Sequence, residues 1–218
     1  MDKLYKKISI TLIFFAILSY FFGFYLGENS AGAGGYNGDL DDIWKNLQIF
    51  LQNDLITSIK HPDYDDSRTP IAYIIHETFN PFLGDQDSFR TSVVLISLLL
   101  PLLFYFTLKQ KFQNEQNLLL GLIASIIFIS PYFRTSSYWG LQENYGLIFL
   151  VLTFLSDIYL NSEKNKLISN EYLKIFFITF LSSLCLYFDQ KLIIVPIIYF
   201  SKFILSKKLI NYKIFLIL

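Results

Sequence analysis

Three aspartates lie within four positions of one another, at Asp39, Asp41 and Asp42, directly after a glycine cluster formed by Gly32, Gly34, Gly35 and Gly38. Three acids so close together exceed what a helix cap needs. A carboxylate held at a membrane surface can take a proton from a hydroxyl, which is general-base chemistry. The competing reading is capping: Asp39 can accept from the third N–H of a helix that it precedes, and all three favour the positive end of its dipole. A second acidic group occurs at His61, Asp63, Asp65 and Asp66. Those residue types suit a divalent cation, but the spacing lacks the glycine and terminal acid of a calcium-binding EF hand, so a solvated acidic turn is the other reading.

Cationic and aromatic residues accompany these acids. Arg68 is a candidate phosphate ligand through its fork of donors, or a salt-bridge partner of Asp65 or Asp66. His76 reads as a hydrogen-bonded interfacial residue or a substrate contact. Further along, Arg134, Tyr138, Trp139 and Glu143 fall in one polar stretch between apolar runs, and Lys191 stands just after Asp189 in a short break. Tyr132, Tyr138 and Trp139 read as an interfacial aromatic belt, or as rings that stack on a sugar or grip a lipid chain. Glu143, at the entrance of an apolar run, is either a dipole-compensating residue or a functional acid.

These residues are set among strongly hydrophobic segments. The chain is 53% hydrophobic and 18% aromatic, with 23 Phe and zero formal net charge. That composition is unlike an ordinary soluble domain and gives no electrostatic footprint for nucleic acid. Its one cysteine, Cys185, lies in an apolar run and reads as a packed small side chain. Apolar stretches of spanning length occur near residues 8–26, 91–108, 117–133, 143–160, 172–188 and 191–206, and a seventh at 209–218 is unfinished. A helix needs about 20 residues to cross about 30 Å of hydrocarbon, so each run is at the short end. The first run comes after Lys3, Lys6 and Lys7 but is longer than a signal core and has no small-residue cleavage site, so it reads as a retained span.

The expected fold is therefore an all-α membrane protein with six to seven transmembrane helices and a long first outer loop, 27–90, that carries amphipathic surface helices. Placing the N-terminus in the cytoplasm puts twelve of the 18 Lys and Arg inside and six outside, which satisfies the positive-inside rule. This predicts a multi-pass protein of the cell (inner) membrane with loop 27–90, the 130–142 turn and the Asp189 turn on the outer face. Within the loop, Leu40–Asn53 reads as an amphipathic helix with Ile43, Leu47, Phe50 and Leu51 on one face, lying in the headgroup plane. Thr69-Pro70 reads as a cap and first helical position for a helix over Ile71–Phe79 that Pro81 stops.

On these motifs the chain resembles the GT-C superfamily of polytopic glycosyltransferases, such as protein mannosyltransferases, the aminoarabinose transferase of lipid A and dolichyl-phosphate-glucose transferases. The resemblance lies in Gly38-Asp39-Leu40-Asp41-Asp42, in Arg68-Thr69-Pro70-Ile71-Ala72-Tyr73, and in the segment from Arg134 through Tyr138, Trp139 and Gly140 to Glu143-Asn144. It implies inverting transfer of a sugar from a polyprenyl-phosphate donor to a lipid, glycan or protein acceptor on the outer face. A Gly-Asp-x-Asp alignment makes Asp39 the base; an Asp-Glu alignment selects Asp41 with Asp42. The implied substrate contacts are Arg68, His76, Arg134, Tyr138, Glu143 and Lys191. No cofactor is implied, although one branch of the family uses a divalent cation. The unfinished last run leads to the expectation that this is the N-terminal part of a longer transferase. The competing expectations are a transporter or assembly partner without enzymatic activity, and an inactive fragment that keeps the donor-binding half.

Overall fold

A computed structural model describes residues 3–29, 36–64, 69–162 and 170–205. Among them there are helices and turns and no strand. In chain order the helices are α1 (Lys3–Tyr25), α2 (Tyr36–Gln52), α3 (Leu55–Ile59), α4 (Ile71–Phe79), α5 (Gln86–Ser97), α6 (Leu99–Lys111), α7 (Asn117–Ser125), α8 (Pro131–Tyr138), α9 (Glu143–Leu160), α10 (Glu171–Phe188) and α11 (Ile194–Leu205). Among the described residues four segments are long and apolar enough to cross a membrane: Lys3–Tyr25, Gln86–Lys111, Glu143–Leu160 and Glu171–Phe188. A fifth is counted if Asn117–Ile129 and Pro131–Tyr138, bent by 62° at their junction, form one span.

The expectation was six to seven; among the described residues the later runs are interrupted or described only in part. The run at 191–206 opens with a 3₁₀ turn, Gln190–Ile193, in which Lys191 N donates to the Asp189 carboxylate. Helix α11 continues that run to Leu205, the last described residue. The run at 209–218 lies outside the described residues. The run at 117–133 is interrupted because Pro131 starts a new helix, with the Ser130 hydroxyl accepting from Phe133 N at 3.5 Å. The expected outer turn at 130–142 is therefore largely a helix, α8. Just past its C-cap, Trp139, Gly140 with a φ of 71° lets the chain reverse and Leu141 N donate to Ser136 O at 2.9 Å.

Helices α9 and α10 pack along each other, and α6 packs against α9. The span 86–111 is broken at Leu98. Pro101, which has no N–H to give the carbonyl four residues earlier, accounts for the break. The α5 half begins at Asp85, whose carboxylate accepts from Ser88 N at 2.7 Å and from Ser88 Oγ at 2.9 Å. These bonds hold the Asp85 carboxyl below the usual carboxylate range.

The main core lies where the long loop meets the bundle. Leu47, Phe50, Tyr73, Phe89, Val93, Phe133 and Tyr138 are all buried there with Tyr20 of α1. The amphipathic face of α2 is real, but it covers protein rather than lipid. Ile43, Leu47 and Phe50 are buried, Leu51 is exposed, Phe50 stacks on Tyr73 at 5.4 Å between ring centroids, and Trp44 meets Phe89 at 5.8 Å. Helix α4 has the expected bounds, yet Pro70 sits at its N-cap with no side-chain cap. The Thr69 hydroxyl donates instead to Tyr187 O at 3.2 Å, tying the start of α4 to the end of α10.

Close approach of α9 and α10 needs Gly146. A Cβ there would lie 2.9 Å from Asp189 Cβ and 3.3 Å from Asp189 N, so backbone as well as side chain would have to move. Gly121, by contrast, has only Ile13 Cδ1 within reach, at 3.8 Å. Thermal unfolding in detergent should show Gly146→Ala costing about 1–3 kcal/mol, as overpacked cores do. Gly121→Ala should be neutral or stabilising by up to about 1 kcal/mol, the usual helix gain. Equal effects at the two sites would contradict the packing described.

Candidate functional site

The end of the bundle that carries the loop is organised around Arg134. After α1, Gly27 adopts φ 64°, Gly27 N donates to Phe24 O at 3.0 Å and Glu28 N to Gly23 O at 2.9 Å. This left-handed cap folds the chain back on its helix and brings the Glu28 carboxylate onto the Arg134 guanidinium. Arg134 also donates to Ser19 Oγ and Ser19 O, both at 2.9 Å. Beside it, Tyr138 is fully buried and its hydroxyl donates to Tyr20 O. Trp139 Nε1 donates to Glu28 O at 3.0 Å. Two residues expected to contact substrate thus join α8 to α1. Arg134 directs its donors at α1 and Glu28. Tyr138 offers no exposed ring face to a sugar or a lipid chain, contrary to the sequence expectation.

Arg90, which local sequence pattern did not single out, completes this region. Its guanidinium lies 4.7 Å from the centroid of Phe24 and 4.3 Å from that of Trp139, and its Nε donates to Tyr138 O at 2.5 Å. A cation held between two aromatic faces in this way keeps its charge in an apolar surrounding. The arrangement fastens α5 to α8 and to the end of α1.

The three candidate bases sit inside α2 rather than ahead of it. The helix starts at Tyr36, so Asp39 is in its first turn and is not the N-cap. Asp39 is half-buried, whereas Asp41 and Asp42 are exposed. Asp41 Oδ1 accepts from Gln86 Nε2 at 2.7 Å, which links α2 to the start of α5. Asp39, in the first turn, gains from the helix dipole, but none of the three has the geometry of a cap. Capping falls instead to Asp54, which accepts from Ile56 N and Thr57 N at 3.1 Å each, and to Asp85. In the second acidic group, Asp63 N donates to His61 Nδ1 at 3.2 Å. Asp65, Asp66 and Arg68 lie outside the described residues. Among the described residues no cluster of three or more His, Cys, Asp or Glu could hold a metal.

His76 is buried and has two partners. Asn80 Oδ1 accepts from Phe82 N at 2.9 Å, which points its Nδ2 at His76 Nδ1, 2.9 Å away, and at Ser92 Oγ, 2.8 Å away. His76 Nδ1 is then an acceptor, which places the ring proton on Nε2, facing Tyr145 Oη at 2.7 Å. The ring also meets the edge of Phe89 at 4.9 Å between centroids. Burial pushes the imidazole down to about 4.

A further cluster gathers at the ends of α9 and α10. Asp189 is buried, accepts from Tyr132 Oη at 2.6 Å and from Lys191 N at 3.0 Å, and packs against Gly146. Lys191 is exposed, with its ammonium 5.2 Å from the centroid of Tyr132. Glu143 is half-buried in the first turn of α9. Thr69 is tied to this corner by its bond to Tyr187 O. The structure thus brings His76, Glu143 and Lys191 to one end of α4, α9 and α10. It adds Asp189, Tyr145 and Asn80, which sequence reasoning missed. Asp189 had a visible signal, an acid in a three-residue break between apolar runs; Tyr145 and Asn80 had none.

No family model, curated protein or solved structure matches this chain.

The buried imidazole has a consequence for stability. Its folded value, about 4, lies below the ordinary 6.5. Between those limits the unfolded chain takes up a proton that the folded chain refuses, so stability falls as pH drops through that window. The full loss is on the order of 3 kcal/mol. Detergent-phase unfolding from neutral to mildly acidic pH should show this slope, and His76→Asn should flatten it. A slope that persists unchanged in the variant would assign it to other groups.

Proposed function

We propose that this chain carries the acceptor-activating site of a polyprenyl-phosphate-dependent glycosyltransferase, acting at the end of the bundle where the long loop folds. The observation that carries this reading is the seating of α2. Its apolar face is buried on the bundle while Asp41 and Asp42 stay exposed and Asp39 half-exposed, so carboxylates are held by a fixed element beside helices long and apolar enough to cross a membrane. Sites built on helices are positioned better than sites on loops.

In this reading one of Asp39, Asp41 and Asp42 accepts the proton of the acceptor hydroxyl. The hydroxyl oxygen attacks the anomeric carbon from the face opposite the phosphate. The carbon–oxygen bond to phosphate breaks, and polyprenyl phosphate departs with the electron pair. The carboxylate forms no bond to the sugar, as with the base of inverting hydrolysis. Lys191, exposed at the same end, and Arg68 are the cations proposed for the departing phosphate. Glu143 stands nearby as a contact at the bundle end, and His76, buried against Tyr145, and Arg134, through α8, act as positioning residues. The donor's lipid explains the membrane location, and the Lys and Arg asymmetry supports placing this end outside the cell (inner) membrane. The acceptor is a lipid, glycan or protein hydroxyl.

One observation favours a second reading, a polytopic protein without enzymatic activity. Arg90, Arg134 and Tyr138 all spend polar groups on internal contacts. The two readings separate in one assay. Membranes containing the chain are given labelled polyprenyl-phosphate sugar and scored for transfer, with Asp39→Asn, Asp41→Asn and Asp42→Asn alongside. Loss of the base should lower the rate by about 10²–10⁴-fold in one variant. Transfer at full rate in all three rejects the base assignment, and no transfer in wild type favours the second reading.

A further inference from the structure

A cleft of about 210 Å³ lies between α4 and α5, lined by Ile75, Phe79, Phe82, Leu95 and Ile96 over a floor of His76, Asn80 and Ser92. Every polar group on that floor has a partner inside the protein. Asn80 Nδ2 serves His76 and Ser92, Asn80 Oδ1 accepts from Phe82 N, His76 Nε2 faces Tyr145, and Ser92 Oγ donates to Phe89 O at 2.6 Å. The floor asks nothing of a ligand, and the walls are hydrocarbon, so the chemistry that fits is an alkyl chain.

The cleft is continuous with an exposed apolar surface. Leu95, Leu99, Leu102 and Phe106, spaced by four, three and four residues, are each about half exposed and form one stripe along the span Gln86–Lys111. Leu95 is both one end of that stripe and a wall of the cleft. At the other side the corner after α4 carries Phe79, 78% exposed, and Phe82, 55% exposed. Two aromatic side chains so open to the surroundings, on a corner pinned by Asn80, are placed for the interface of a bilayer rather than for water.

We infer that this cleft seats one acyl chain of a phospholipid from the adjoining leaflet, with α4 and the Phe79–Phe82 corner resting at the depth of the upper chain. The inference does not rest on the transferase reading. It makes α4 a membrane-contacting element on one side, while its buried side carries His76 against Tyr145 and Phe89.

The test uses the whole chain in vesicles of phosphatidylethanolamine and phosphatidylglycerol, with no polyprenyl lipid or sugar donor, so that its result is independent of transfer activity. Phe82→benzoylphenylalanine reports the cleft, and Leu102→benzoylphenylalanine reports ordinary lipid contact on the same span. Phospholipid acyl adducts should form severalfold more at position 82 than at position 102. Filling the cleft with Ile75→Trp, or with the smaller change Ile96→Phe, should bring position 82 down to the level of position 102 and leave position 102 unchanged, which also shows that the span still folds. Equal yields at the two positions overturn the inference, as do adducts only to the protein itself or insensitivity to both filling variants. A final arm adds polyprenyl phosphate in trace amount. If it displaces the acyl adduct, the cleft selects isoprenyl chains and the phospholipid assignment fails.

Discussion

The guanidinium of Arg134 is the interaction on which this end of the molecule depends. It reaches across from α8 to the hydroxyl and carbonyl of Ser19 in α1 and to the carboxylate of Glu28. A charge in such apolar surroundings is tolerable only with a countercharge and well-partnered donors. Both come from the end of α1 and the turn after it, because Gly27 reverses the backbone and returns Glu28 to the flank of its own helix. Once α8 is fixed to α1, Tyr138 and Trp139 are placed, and with them Arg90 and α5. The loop helices then have a surface on which to pack.

That order of dependence explains what the sequence could and could not reveal. Helix α4 was legible to the residue because Pro70 and Pro81 bracket it. The apolar face of α2 was legible from its period, but periodicity says that a face is covered and not by what. The expected cover was lipid; the actual cover is Tyr73, Phe89 and their neighbours. Helix α8 was missed although Ser130-Pro131 and Gly140 are ordinary start and stop signals, because a short polar helix between apolar runs looks like a loop. The Arg134–Glu28 pair spans 106 residues and the His76–Tyr145 pair 69. No local pattern can announce such contacts.

The candidate site was legible in composition and less so in arrangement. Crowded acids do occur on a helix held at the bundle end, as the sequence suggested. The capping role set against catalysis belongs to Asp54 and Asp85, each of which stands ahead of its helix. Asp39, Asp41 and Asp42 were misplaced by a few residues because α2 extends back through Gly38 to Tyr36. The cationic side of the site changed more. Arg134 is occupied, while Asp189 organises the corner where Lys191 is exposed.

The interruption at Leu98 gives the second span a mechanical character that a continuous rod would lack. Pro101 leaves the two halves joined without a full hydrogen-bond ladder, and bending there is cheap compared with bending either half. The stiff upper arm carries Arg90 and one wall of the cleft. Its foot is tethered sideways, because Asn144 at the mouth of α9 donates to Ser97 beside the break. A tilt of that arm about its pivot would therefore act on α8 through Arg90 and on the entrance of α9 through Asn144.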